Sequence, residues 1–302
     1  MPADRPYARA GRVLAPWRRA AGYLLPLALL IGGLVLVPVI GTVIQSAFRD
    51  VVFLPRSFVG LENYARLLDD PAFWQAARFT VLFMLASVPL ELVLGLGIAL
   101  VLNQTFVGRG LLRALVLIPW VIPAAVSGRI FERIVASGEH GAASWLLQRL
   151  DLADQPVHWL GSEAGSFLAL LVADAWKTTP FVAIILLAGL AQIPVTLYDQ
   201  ARVDGASLWR RFTAVTLPLL RPVLVVAVLF RMIEALRIFD VVYVLTGGGP
   251  GGTTTSLSLL AYAHYSAGDL GYGAATSTVL FLVTFALALV VVRVGRFGRE
   301  LS

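Results

Sequence analysis

The chain has 302 residues, of which 58% are hydrophobic and 14% charged, and its mean hydropathy is +0.82; soluble domains carry about a quarter charged residues. That composition indicates an integral membrane protein and excludes an ordinary soluble enzyme. The net charge of +6 falls on arginines beside apolar runs, which reads as topology signals and not as a nucleic-acid surface, and the absence of cysteine removes disulfides, thiolate metal sites and cysteine nucleophiles.

In chain order, a basic arm over 1–20 precedes an apolar run over about 21–47, too long for the core of a signal peptide and predicted to be a retained first span. A crossing takes roughly 20 helical residues, and five more runs meet that length near 78–102, 110–132, 164–190, 219–246 and 275–295. The expectation is one all-α transmembrane domain of six helices over 21–302. Prolines at 26, 38, 89, 119, 123 and 180 fall inside these runs, where neighbouring helices satisfy the freed carbonyls, so kinks and cavities are expected there. Phe58 to Trp74 reads as a turn, a short amphipathic helix and a second turn on the membrane surface. Glu91 stands alone in the second span after Pro89 and suits a hydrogen bond between helices. Thr246 to Gly252 is too glycine-rich for a regular element and lacks the Lys-Ser/Thr of a phosphate-cradling loop.

With the N-terminus inside, fourteen arginines fall on inner segments and seven on outer ones, so both termini and the segment 191–218 are predicted to be cytoplasmic. The fourth span carries Asp174 and Lys177, followed by Thr178, Thr179, Pro180 and Phe181. The fifth carries Arg231, Glu234 and Ala235, then Arg237 and Asp240. Charges three apart pair along a helix, which lowers a burial cost of roughly 2.5–3.5 kcal/mol each at the centre of a span. Two arrangements suit them: a water-accessible cavity whose carboxylates and hydroxyls bind a polyhydroxylated substrate, with Trp176, Phe181 and Phe239 stacking on sugar faces, or an ion-pair network joining spans or subunits.

The segment between those spans, Tyr198-Asp199-Gln200-Ala201-Arg202-Val203-Asp204-Gly205-Ala206, is polar and helix-compatible, and its small residues Ala201 and Gly205 are four apart, on one side of a helix. With Arg202, Arg210 and Arg211 near headgroups, such a helix suits docking into a partner's groove rather than chemistry. Asp199-Gln200-Ala201, then Gly205, then Val215-Thr216-Leu217-Pro218 resembles the cytoplasmic loop signature of ABC importer permeases, with Asp where the family usually has Glu and Gln where it has Ala. The likeness extends over nearly the whole chain. It is strongest to the carbohydrate group of the maltose, trehalose and glycerol-3-phosphate type, and within it to the first permease of trehalose importers, through Trp176 to Phe181 and Phe230 to Gly248.

The resemblance implies the type I importer permease fold in a bacterial or archaeal plasma membrane, surrounded by lipid. It also implies a second homologous permease, two ABC ATPase subunits that bind ATP and Mg, and an extracytoplasmic sugar-binding protein. ATPase coupling falls to Asp199, Gln200, Ala201, Asp204, Gly205, Ala206 and Pro218. The substrate site falls to Asp174, Lys177, Thr178, Phe181, Arg231, Glu234 and Ala235. No nucleotide-binding motif, His-Glu-x-x-His or Gly-x-Ser-x-Gly occurs, so the chain itself is expected to be neither an enzyme nor a metal or cofactor protein. The rival reading is a proton-coupled secondary transporter using the buried carboxylates; the lack of an evident internal repeat and the docking segment weigh against it.

Overall fold

The computed structural model describes residues 24–136 and 141–297, with side chains to 295. The predicted arm 1–20, the first residues of the span at 21–47, His140 and Arg299 lie outside them. Helix α1 (Leu24–Gln45) packs along the last helix, α12 (Leu270–Phe297). Between α1 and the second long helix lie a two-residue hairpin, β1 (Phe48–Arg49) with β2 (Ser57–Phe58), and the amphipathic helix α2 (Glu62–Asp69). Buried Asn63 ties α2 down by donating to the carbonyls of Ser46 at 2.9 Å and Phe48 at 2.8 Å. Asp70 then caps α3 (Pro71–Asn103) by accepting from the Ala72 amide at 2.8 Å, and its other oxygen accepts from the Tyr272 hydroxyl at the start of α12.

Helix α3 packs most extensively against α7 (Glu163–Leu190), and both contain a proline without breaking. They meet at Gly95, where a Cβ would sit 2.7 Å from Val182 Cγ1. The run expected to cross at 110–132 is instead two helices, α4 (Arg109–Val121) and α5 (Ala124–Ile134), bent by 90°. Ile122 is extended (φ −64°, ψ 131°) because Pro123 bars it from the helical region, and Pro123 offers no amide to the carbonyl four residues back. Helix α6 (Ala142–Arg149) and a 3₁₀ turn lead into α7.

After α7 comes the short α8 (Val195–Val203), and then α9 (Leu208–Leu236), which begins eleven residues before the predicted span at 219 and ends ten before its predicted limit at 246. Its early start passes through a π turn at Phe212–Thr216, followed by Pro218. Lacking an amide, Pro218 cannot continue the ladder, and the Leu217 amide reaches back to the Phe212 carbonyl. Gly32–Leu36 followed by Pro38 repeats the pattern in α1. The early end falls at Arg237 to Phe239, after which α10 (Asp240–Leu245) starts anew; the Ser256 hydroxyl takes the freed Ile238 carbonyl at 2.7 Å. The glycine-rich stretch forms turns, with positive φ at Gly247, Gly248, Gly251 and Gly252. Helix α11 (Leu257–Ser266) then packs on α12.

Among the described residues, five helices are long and apolar enough to cross a membrane, and the bent pair α4/α5 makes a sixth crossing if counted as one span. Their core is layered. One apolar cluster gathers Phe79, Phe83, Phe131, Leu170 and Val242, and another gathers Leu102, Val182, Leu186, Leu190 and Leu220. Along α3 and α7, the acidic residues Glu91 and Asp174 fall between the two clusters, level with Arg231 of α9.

Candidate functional site

Arg231 is the centre of a polar layer, 1% exposed and bonded through every nitrogen of its guanidinium. Its Nε and Nη2 fork onto both oxygens of Glu91, the latter at 2.9 Å; Nη2 also reaches Asp174 at 3.0 Å and Nη1 reaches Glu234 at 2.7 Å. A bidentate guanidinium–carboxylate pair is the strongest ion-pair geometry available to side chains, and burial heightens the cost of leaving any member unpaired. Glu91 and Asp174 are buried, whereas the Glu234 side chain is 50% exposed. Glu234 is the arm of the cluster that opens outward. The i, i+3 spacing of Arg231 and Glu234 forms the pair predicted from it.

Beside this cluster is a cavity of about 270 Å³. Of the residues singled out in the sequence, Asp174, Lys177, Thr178, Arg231, Glu234 and Ala235 line it together, joined by Arg237, Phe239 and Asp240. Phe181 does not line it: its ring stacks on Trp120 (5.5 Å between centroids) and meets Phe230 edge-on. Trp176 likewise stands edge-on to Phe131 outside the wall. Asp174 and Lys177 are not paired with each other as their spacing suggested. Asp174 turns to Arg231, and the Lys177 ammonium donates to the carbonyls of Trp120 (3.2 Å) and Ile122 (2.6 Å) at the break between α4 and α5. Thr178 donates its hydroxyl to the Asp174 carbonyl at 2.7 Å, leaving its lone pairs for a ligand. Ala235 is buried on the wall. Arg237 and Asp240 form no ion pair among the described residues, since the helix ends between them.

The residues missed from the sequence are Glu91, read only as a packing contact, and Trp120 and Ala124 at the bend. Pro119 and Pro123, four apart, were the available signal for the bend, because the Pro119 carbonyl has no amide to meet. Chemically the cavity offers carboxylate acceptors at Glu234 and Asp240 and a hydroxyl at Thr178. Its buried arginine is already saturated. No group of three or more His, Cys, Asp or Glu positioned to hold a metal ion occurs among the described residues.

At the end of α7 farther from Glu163, the Tyr198 hydroxyl is bonded to Thr216 Oγ1 at 3.0 Å, and Leu197 and Tyr198 pack against the apolar cluster around Leu190. The opposite face of α8 and the start of α9 leave Val195, Val203, Leu208 and Trp209 exposed, a patch of the kind that marks an interaction surface. Asp199 pairs with Arg202 at 3.3 Å, and Asp199, Gln200, Asp204, Gly205 and Pro218 are exposed, with Ala201 and Ala206 half-buried. Gly205 does not lie on the helix face with Ala201. The helix stops at Val203, and Gly205 (φ +71°) closes it: the Ala206 amide donates to the Ala201 carbonyl and the Gly205 amide to that of Arg202. That is a Schellman cap, whose penultimate position requires a left-handed residue.

The family described as "Binding-protein-dependent transport system inner membrane component" matches residues 91–297. The trehalose/maltose transport system permease protein MalF of Thermococcus litoralis is 49% identical over 282 residues, covering 92% of this chain and 95% of that one. The trehalose transport system permease protein SugA of Mycobacterium tuberculosis is 37% identical over 290 residues, covering 95% and 92%. Among solved structures, a bacterial ABC transporter involved in the import of the acidic polysaccharide alginate has a chain that superposes with a TM-score of 0.80 at 22% identity, over 96% of this chain and 99% of that one, which speaks to the fold.

Proposed function

Since the chain belongs to the family of binding-protein-dependent transport system inner membrane components, a multi-pass permease and not itself an enzyme, we propose that it forms the translocation path for a neutral disaccharide such as trehalose or maltose in an ATP-driven importer. The observation that carries this reading is the saturated guanidinium of Arg231. Each of its nitrogens already meets a carboxylate, so Arg231 serves the wall, and the cavity offers sugar hydroxyls acceptors at Glu234, Asp240 and Thr178 and donors at Lys177 and Arg237. Asp174, Arg231 and Ala235 form the wall behind these groups, and Phe181 supports it through Trp120. At about 270 Å³ the cavity is slightly below the usual range for small-molecule sites, roughly 300–1,000 Å³; a second permease completes it.

The path works by alternating access. Two ATPase subunits bind ATP and Mg and dock on the cytoplasmic face at α8, through Asp199, Gln200, Ala201, Asp204, Gly205 and Ala206, with Pro218 setting the entry into α9. Closure of the ATPase pair moves α8, and because α8 is short and anchored to the ends of α7 and α9, the two helices that carry Asp174 and Arg231 move with it. The cavity then faces an extracytoplasmic sugar-binding protein and takes its cargo. Both termini are cytoplasmic in this arrangement.

The test is purification of the tagged chain from its membrane with its partners, followed by uptake into liposomes. A second permease and an ATPase should co-purify, trehalose or maltose uptake should require ATP, and Glu234→Ala should reduce uptake while leaving assembly intact. Uptake by the chain alone, driven by a proton gradient without ATP, would overturn the reading in favour of a carboxylate-based carrier.

A further inference from the structure

The cavity lies between two broken helices. One wall is the bend of α4 and α5, contributing Trp120 and Ala124, and the other is the gap between α9 and α10, contributing Arg237, Ile238, Phe239 and Asp240. In a membrane, a backbone carbonyl released from a helical ladder needs a replacement donor, and a side chain from a neighbouring helix can supply it. Ser256 closes the second break with one hydroxyl. The first is closed by Lys177, the only lysine in the chain.

We propose that Lys177 is a positioning residue of the translocation path: its ammonium holds the α4/α5 bend against α7 and thereby fixes the wall that Trp120 and Ala124 present to the substrate. Three observations converge on this role. The ammonium donates to two carbonyls on either side of Val121, the last residue of α4, where the negative end of the helix dipole favours a cation. One turn further along α7, Phe181 stacks on Trp120, so α7 grips the bend by a polar and an aromatic contact four residues apart. Lys177 also lines the cavity, so one of its three donors remains for a ligand while two hold the wall. A neutral methionine of similar length would fill the space and release both carbonyls.

This inference rests on the cavity being the transport site, and its test separates the two. The chain has no cysteine, so spin labels can be placed at Arg129→Cys on α5 and Leu168→Cys on α7 in the complete importer, with cysteines of the partner subunits replaced. Lys177→Met should broaden the distance distribution between the labels and raise KM for the sugar about tenfold, the scale of one lost charged hydrogen bond, with kcat changed less than about threefold. Lys177→Arg, which keeps charge and donors, should restore the narrow distribution and most of the affinity. If Lys177→Met fails to reach the membrane, Lys177→Leu, which also lacks a donor, replaces it in the same comparison. An unchanged distance distribution with a raised KM would make Lys177 a direct sugar ligand and overturn the positioning role, as would no change in either. The distance is read without solute, so failure of the disaccharide assignment leaves that arm intact, and failure of the positioning role leaves wild-type uptake intact.

Discussion

Replacing Arg231 by methionine removes the cation that, among the described residues, Glu91, Asp174 and Glu234 share, and leaves two of those carboxylates buried without their ion-pair partner. Breaking a buried ion pair from one side costs about 3–5 kcal/mol, because the remaining charge is uncompensated; here the loss is roughly two to three and a half decades in the folded-to-unfolded ratio. The acidic members should be far less sensitive. Glu91→Gln leaves Arg231 paired with Asp174 and Glu234 and keeps an amide oxygen for the guanidinium, so about 1–2 kcal/mol is expected. Glu234→Gln, at a half-exposed side chain, should cost less than about 1 kcal/mol. The double variant Arg231→Met/Glu91→Leu should recover at least about 1 kcal/mol over Arg231→Met alone, since it removes one of the stranded charges together with its partner. Unfolding of the purified chain in mixed micelles, titrated with a denaturing detergent and followed by the emission of its seven tryptophans, reads all four. If Glu91→Gln destabilises as much as Arg231→Met, or the double variant is worse than either single one, Arg231 is not the hub of the cluster.

At Gly205 a Cβ would meet nothing within 4 Å, but the φ of +71° disfavours side chains, so the cap and the docking role can be separated. Gly205→Asn, which tolerates the left-handed region, should keep ATP-dependent uptake within about twofold; Gly205→Ala should lower stability by roughly 1–2 kcal/mol; Gly205→Trp should abolish uptake while the chain still inserts. Full uptake by the tryptophan variant would remove α8 from the coupling surface. On the other side of the chain, burial lowers the pKa of His264, opposed by Asp269 and Asp70 and assisted by Arg66, with the imidazole 4.2 Å from the Tyr272 ring. Its neutral form is therefore favoured in the fold, and the stability it contributes is fully present above the unfolded value of about 6.5 and falls as pH drops from there through the lowered value, by at most about 1.4 kcal/mol per unit. Heat unfolding between pH 8 and 5 should show that acid-side decline, and His264→Gln should flatten it; an identical decline in the variant would assign it to other groups.

Local features were the legible ones. The presence of long apolar helices follows from the apolar runs, though their ends do not, and the pairing of Arg231 with Glu234 follows from their spacing, because it is set within one turn. The partner of Glu91 was not legible: it is 140 positions away, and nothing in an apolar span says which neighbour will face it. Proline gave a warning without a location. Pro89 and Pro180 are absorbed into continuous helices, Pro38 and Pro218 are preceded by π turns, and Pro123 alone breaks a helix by 90°, since Pro119 had already weakened the turn before it. Lys177 was drawn toward Asp174 by spacing and went instead to the carbonyls that this break released. Gly205 was recognised as necessary, but for packing on a helix face; the helix ends before it, and its backbone conformation supplies a reason within the chain.

Every member of the Arg231 cluster belongs to this one polypeptide, and Glu91 and Asp174 precede the arginine in the order of synthesis, while Glu234 follows it by three residues. At a typical elongation rate of about 5–20 residues per second, the 140 positions between Glu91 and Arg231 correspond to a delay on the order of 10 s. For that interval Glu91 has no Arg231 to meet, Asp174 waits through a shorter one of 57 positions, and the helix bearing Arg231 then arrives with a charge that lipid alone disfavours. Burial of Arg231 in its crossing therefore depends on α3 and α7 standing beside it to supply Glu91 and Asp174.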